Sequence, residues 1–523
     1  MTARRITGLA SKRTKNSKGS AGASVTAPTR LTRARAPLLL TLAVLALAFY
    51  LASIPNNPLG FFIDESSIAY NAYTISRSGS DEYGVQWPLY FRAFDEYKNP
   101  TYIYLLAGLF TVLGPSIWLP RLLSAVVGFG AALLLGVLAR RMTGQDRIGV
   151  IVALTALATP WLFEVSRLVF EVALFPLTVV LFLLALYRTQ KQSAWTRLDA
   201  FWVASTLALI TYTYSIGRLL GGLLALGLLV FARRRRWIPI VQTWIMYGIL
   251  LVPLMVFNQR HPGALTARFH EVSYVKPESG LLEIAGEFLN HYVDNLSLRS
   301  LLLVGDINVR HHVPGMGSML AATALLGIVG LFLVLWSRRR DPWWQFILYG
   351  LAVSVVPAAL TTDPFHTLRL IAFPVFLLVL TVPALAWLGE DGERRSTRRA
   401  TLAVLVVLTL IQAAVFQWQF YGEGPKRGYA FDADFRKVLT AARAIPSRPI
   451  FLVTGRPGRY HYIQAYWYGT LHGMPASEFT RLPANKRPPA GSLVIDDISG
   501  EACAQCQLIL MQPPFVLYRY GAS

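Results

Sequence analysis

The segment "APLLLTLAVLALAFYLAS" (residues 36–53) precedes "LGFFIDESSIAYNAYTI" (residues 59–75) by only five residues. The first segment is 18 residues of almost unbroken apolar character. As a helix rising about 1.5 Å per residue it crosses most of a hydrocarbon core roughly 30 Å thick. The second segment then sets two carboxylates, Asp64 and Glu65, against the far face of the bilayer. Charge at that depth is costly unless water or a partner receives it. Two readings stay open on this stretch alone. "DESSIAYNAY" is a helix start with a solvated acidic first turn, or it is the acidic part of a site.

The rest of the chain belongs to the same class. Of 523 residues, 54% are hydrophobic and 15% charged, and the mean hydropathy is +0.44. Further apolar runs lie near 101–114, 117–139, 148–164, 168–187, 199–214, 217–232, 237–257, 318–337, 343–360, 368–388 and 400–420. A soluble chain of this length divides into domains with polar surfaces. The pattern predicts an all-α polytopic membrane protein with about 11–13 transmembrane helices.

The net charge of +22 does not point to nucleic acid. The basic residues gather in short clusters between apolar runs, as the positive-inside rule requires. Arg140/Arg141/Arg147, Arg188/Lys191/Arg197, "RRRR" at 233–236, "RRR" at 338–340 and "ERRSTRR" at 393–399 are therefore expected on the cytoplasmic side. The Ser/Thr/Gly-rich residues 1–36, with nine basic residues and no acidic one, are expected to be a disordered cytoplasmic tail on anionic lipid. The segments near 163–167, 212–218, 258–317 and 361–367 then face outward, as does residue 421 onward. Twelve crossings would put both termini on one side. Either the short run 101–114 is re-entrant or packed on the outer leaflet, leaving eleven crossings, or it crosses and one other run does not.

Three parts follow: the tail 1–36, a membrane domain 37–420 with outer loops 55–100 and 258–317, and an extracytoplasmic domain 421–523. In the last, "RPIFLVTG" and "GSLVIDDIS" read as strands, and "FDADFRKVLTAARAIP" as a helix stopped by proline. A small α/β domain is expected. Cys503 and Cys506, in "CAQC", are the only cysteines, and a local disulfide suits that compartment.

The outward segments mix acids with cations. Asp81, Glu82, Asp95, Glu96 and Lys98 follow the Asp64–Glu65 pair; Arg167, Arg218, His366 and Arg369 stand in other outer segments; Asp306, Arg310, His311 and His312 stand in the large loop. A carboxylate there takes a proton from a hydroxyl, and cations receive a developing phosphate. That chemistry suits sugar transfer from a polyprenyl-phosphate donor.

With the acidic pair, "YKNPTYIYLLAGLFTVLGPSIWLPRLLSAVVG", "SRLVFEVALFPL" and "HTLRLIAFP", residues 37–390 resemble the GT-C glycosyltransferases. The protein O-mannosyltransferases and the lipid A aminoarabinose transferases (glycosyltransferase family 39-like) are the most similar. The resemblance implies that Asp64 is the catalytic base with Glu65 supporting it. It implies that Glu96 and Lys98 form an acid–lysine pair at the lipid phosphate, although Tyr97 and Asn99 separate this pair from the proline differently. Arg167, His366 and Arg369 become phosphate or sugar contacts. Inversion at the anomeric carbon and a bacterial plasma-membrane location follow from the same resemblance. The acceptor is protein Ser/Thr, a lipid or a cell-wall glycan.

Several motifs carry less. Adjacent His311 and His312 suggest a metal, but no cysteine or His-x3-His spacing joins them, so no metal and no other cofactor is expected. "PGMGS" is a turn, since no strand precedes it. A lipid-sugar transporter, the rival class, needs charge deep within spans, and here charge collects at span ends. A non-catalytic assembly protein is the other alternative.

Overall fold

The computed structural model describes residues 30–94, 96–232, 237–390, 395–454, 460–497 and 506–521. The basic residues from Arg4 to Lys18, Asp95, the arginines at 233–236, Arg394 and Cys503 lie outside them. The chain forms two compact units, Met1–Phe49 and Tyr50–Ser523.

α1 (Arg30–Leu51) is the first apolar run. It starts within the basic stretch, several residues ahead of the apolar residues. α2 (Ile63–Ser78) carries the acidic pair in its first turn, where a helix N-terminus favours negative charge. The Glu65 carboxylate accepts from the Phe62 N–H at 3.0 Å and closes the turn. Gly60 precedes it at φ +91°; a Cβ there would lie 2.4 Å from the Phe431 carbonyl oxygen. Only glycine gives this approach. Gly79, left-handed, ends α2.

A short hairpin, β1 (Phe91–Ala93) with β2 (Glu96–Lys98), pairs Phe91 with Lys98. It delivers Lys98 to the mouth of α3 (Pro100–Leu113), whose first residue is a proline. At 14 residues, α3 spans about 21 Å. That is short of a bilayer core, as expected for the run 101–114. α4 (Leu119–Thr143) is the next long helix.

Among the described residues, six helices are long and apolar enough to cross a membrane: Leu119–Thr143, Glu171–Gln190, Trp237–Arg260, Ala321–Arg338, Pro342–Ala359 and Arg395–Glu423. Pro100–Leu113, Gly217–Phe231 and Phe373–Leu388 are shorter apolar helices. Run length alone overstates helix length where a proline intervenes. The run 148–164, for example, becomes Asp146–Ala158 and Pro160–Val165, broken at Thr159. Helices approach closely where glycine allows: a Cβ on Gly330 would lie 1.7 Å from the Leu380 carbonyl oxygen.

The last helix of the membrane domain runs on to Glu423. Beyond it a five-stranded sheet has the order β4-β3-β5-β7-β6. Its strands are β3 (Ile450–Thr454), β4 (Phe479–Pro483), β5 (Leu493–Asp497), β6 (Cys506–Gln512) and β7 (Phe515–Tyr520). β3 is parallel to β4 and β5; β7 is antiparallel to β5 and β6. Helices Phe435–Ala444 and Tyr462–Leu471 complete the α/β domain. The fold is polytopic α-helical with a small C-terminal sheet domain.

That domain is joined to the start of α2. Trp467 stacks on Phe61 and Phe110 with ring centroids 6.0 and 5.7 Å apart. Gln464 donates to the Phe61 carbonyl at 2.9 Å and to Asp432 at 3.0 Å.

Candidate active site

Glu65 is fully buried and Asp64 is 30% exposed. The difference follows from their partners. Glu65 accepts from Arg121 at 2.9 and 3.3 Å, from the Val169 N–H at 3.1 Å and from Phe62. Arg121, equally buried, also donates to the carbonyls of Pro58 and Gly60 at 2.5 and 2.7 Å. Both charges are thus paired and hydrogen-bonded, the condition for burying them. This locks the loop before α2 to α4. Glu65 has every one of these partners within the protein and faces no open space.

Asp64 instead accepts from Lys98 Nζ at 2.5 Å. Lys98 is 5% exposed, and its ammonium lies 5.4 Å from the centre of the Phe94 ring. Burial pulls its pKa down, but Asp64, Glu171 and Glu96 outweigh burial and hold it above the ordinary lysine value. Lys98 therefore keeps its charge. Glu171 accepts from the Asn99 N–H at 2.9 Å and fixes the turn after β2. Glu96 faces Arg268 of the large loop at 3.8 Å. Burial raises the Glu96 pKa, against the pull of Lys98. Arg369 and Arg268, with Glu171 and Glu96, all lie within electrostatic reach of the Tyr214 hydroxyl. Glu96 and Arg268 lie near the Asp64–Lys98 pair.

The other expected residues sit elsewhere. Arg167 is buried, donates to the Ala52 carbonyl at 2.7 Å and stacks on Phe163 at 4.5 Å. None of these partners belongs to the Asp64–Lys98 pair. Arg369 pairs with Asp363 and donates to Thr361 at 2.8 Å. His366 packs against His311, ring centroids 4.9 Å apart. His312 turns away from His311: it binds Glu164, and its other ring nitrogen donates to the Met316 carbonyl at 2.6 Å. Asp306, His311 and His366 bring one ligand atom each within 4.8 Å of one another.

Glu82 has both carboxylate oxygens buried, with no hydrogen-bond partner among the described residues. Burial raises its pKa to about 7, against the opposing effect of Arg481. Arg481 lies 3.5 Å from the Tyr462 ring centre. A separate cavity of about 960 Å³ is lined by residues including Pro55, Ile117, Tyr429, Lys437 and Tyr468. None of its lining residues is Asp64, Lys98 or Glu96, so its volume has no bearing on their site.

Arg121, Glu171, Arg268 and Tyr214 were not singled out from the sequence. Arg121 and Glu171 stand inside quoted motifs, as an arginine after "WLP" and a glutamate before "VALFPL". Their roles depend on partners 56 and 72 residues away.

No protein-family model matches the chain, and no curated protein matches it. Solved structures do. ArnT from Cupriavidus metallidurans bound to undecaprenyl phosphate superposes with a TM-score of 0.57 at 13% identity, covering 94% of this chain and 99% of that one. The apo form gives 0.58 at 13% identity, covering 93% and 98%. The chain has the ArnT fold. A match over 94% of the chain extends beyond residue 390, where the sequence resemblance stops.

Proposed function

We propose that the protein is a membrane glycosyltransferase that moves a sugar from a polyprenyl-phosphate donor to an acceptor hydroxyl at the outer face of a bacterial plasma membrane. The observation that carries this reading is the Asp64–Lys98 pair: a part-exposed carboxylate 2.5 Å from a buried, charged amine. The ArnT fold and the undecaprenyl phosphate bound to one of its members support it.

The chemistry needs one base and one anion holder. The donor phosphate enters beside Lys98 and takes over its ammonium, which releases Asp64. Asp64 then accepts the proton of the acceptor hydroxyl. The acceptor oxygen bonds to the anomeric carbon from the face opposite the phosphate, with inversion. The carbon–oxygen bond to phosphate breaks, and its electron pair stays on the phosphate. Lys98, with Arg268 near, stabilises that charge. Glu65 and Arg121 hold the first turn of α2 still, since small displacements of a reacting group cost rate heavily. The acceptor is a protein hydroxyl, a lipid or a cell-wall glycan. The N-terminus is cytoplasmic and the sheet domain extracytoplasmic.

The test incubates purified protein with polyprenyl-phosphate mannose, glucose, galactose or aminoarabinose and a membrane and cell-wall extract. Release of free polyprenyl phosphate, dependent on the extract, is expected with one donor. Donor flux across liposomes without release would contradict transfer and favour a transporter.

A further inference from the structure

We infer that Asp306, His311 and His366 form a binding site for one divalent transition-metal ion of the zinc class. These side chains come from two segments, the end of the large loop and the stretch 361–372. Their ligand atoms all lie within 4.8 Å of one another. Asp306 Oδ2 and His311 Nδ1 are 3.2 Å apart. Two ligand atoms on a tetrahedral zinc, each about 2.0–2.1 Å from the metal, are separated by about 3.3 Å. This edge of the site is therefore already at coordination spacing.

The third ligand supplies a second observation. His366 Nδ1 is buried and has no hydrogen-bond partner among the described residues. A buried ring nitrogen without a partner is unfavourable, and an ion bound through Nδ1 would satisfy it. A simple His–Asp hydrogen bond accounts for His311 and leaves His366 unexplained.

The surroundings fix the ligands. The Asp306 carboxylate accepts from the Thr367 N–H at 2.9 Å, from the Thr367 hydroxyl at 2.8 Å and from the Asn308 N–H at 2.8 Å. Trp161 donates to the Thr367 carbonyl at 2.9 Å. Such contacts orient ligating groups before the ion arrives. Two imidazoles and one carboxylate favour zinc, cobalt or iron over magnesium or calcium, which take oxygen donors. Three protein ligands leave a fourth position for water or another oxygen donor. The ion would join the large loop to the 361–372 segment. Arg310, next to His311, lies 4.2 Å from the ring centre of Phe62, two residues before Asp64. Ordering this loop therefore bears on the start of α2.

The experiment uses tag-free, full-length protein in detergent, stripped with chelator. It is titrated calorimetrically with Zn²⁺ and with Mg²⁺, and with Co²⁺ followed by visible absorption. One equivalent of Zn²⁺ is expected, a raised melting temperature, no Mg²⁺ binding, and the intense visible bands of four-coordinate Co²⁺. His366→Ala, His311→Ala and Asp306→Asn are each expected to weaken Zn²⁺ roughly a hundredfold, and the exposed control His472→Ala to bind as wild type. The proposal is overturned if wild type takes up no stoichiometric Zn²⁺, if Co²⁺ stays weakly coloured and octahedral, or if His366→Ala titrates as wild type does. The Co²⁺ spectrum needs no variant, so a misfolded variant does not obscure the result. All readouts are of metal binding and are independent of sugar transfer.

Discussion

Two neighbouring carboxylates on the first turn of α2 have opposite surroundings. Glu65 is enclosed with Arg121, and Asp64 opens toward Lys98. Glu65→Gln leaves the Arg121 charge buried and unpaired. Its expected cost is about 3–5 kcal/mol, read as a fall in thermal or denaturant stability. The double change Glu65→Met with Arg121→Met removes both charges and is expected to recover much of that loss. Lys98→Ala is expected to weaken binding of polyprenyl phosphate at least tenfold while the fold persists, measured by titration of intrinsic fluorescence. Glu82 carries a pH signature. Its folded pKa of about 7 lies above the ordinary glutamate value of about 4.5, so the folded state holds the proton longer than the unfolded chain. Its contribution to stability is complete below about pH 4.5, is lost as pH rises to about 7, and is flat beyond. Glu82→Gln is therefore expected to raise the melting temperature at pH 8 and leave it unchanged at pH 4.5. The acidic pair was legible in the sequence because a charge beside a membrane span stands out. The opposite surroundings of Asp64 and Glu65 were not legible there. They depend on Arg121 and the Val169 N–H, which no local pattern ties to residue 65.

At the scale of elements, apolar runs located the helices well, and prolines and glycines set where they stop. The run 101–114 is a short helix whose proline start and hairpin predecessor place Lys98. The two-strand hairpin itself was not expected, because "FRAFDEYK" lacks the alternation and turn signals of a strand pair. In the C-terminal domain, β3, β5 and the helix Phe435–Ala444 were expected. β4, β6 and β7 were not: β4 is five residues ending in proline, and β6 and β7 share one apolar stretch divided at Pro513–Pro514. The metal-ligand set escaped for a related reason. His311 and His366 are 55 residues apart, and their meeting is a property of the folded loops. Gly330 is an element-scale test. Its hydrogen faces the backbone of Phe373–Leu388 too closely for any side chain. Gly330→Val is expected to separate these helices and lower stability by several kcal/mol, in the range of severe overpacking, read by thermal melt in detergent.

Across the whole molecule, the sheet domain and the helices act on one point, the loop that begins α2. Gln464 and Trp467 hold Phe61, three residues before Asp64. Trp467→Ala is expected to cost about 3–5 kcal/mol and to lower turnover as well, because Phe61 loses its stacking partner. The likeness to ArnT over almost the full length shows that sheet domain and helices form one recurring architecture. The central claim is that Asp64 is the base of sugar transfer. Its most direct test is the release of polyprenyl phosphate by Asp64→Asn beside wild type, with the cognate donor and acceptor, at equal melting temperature. A loss of at least about a hundredfold, in the range of a removed general base, is expected. Equal release by the two proteins would contradict the claim.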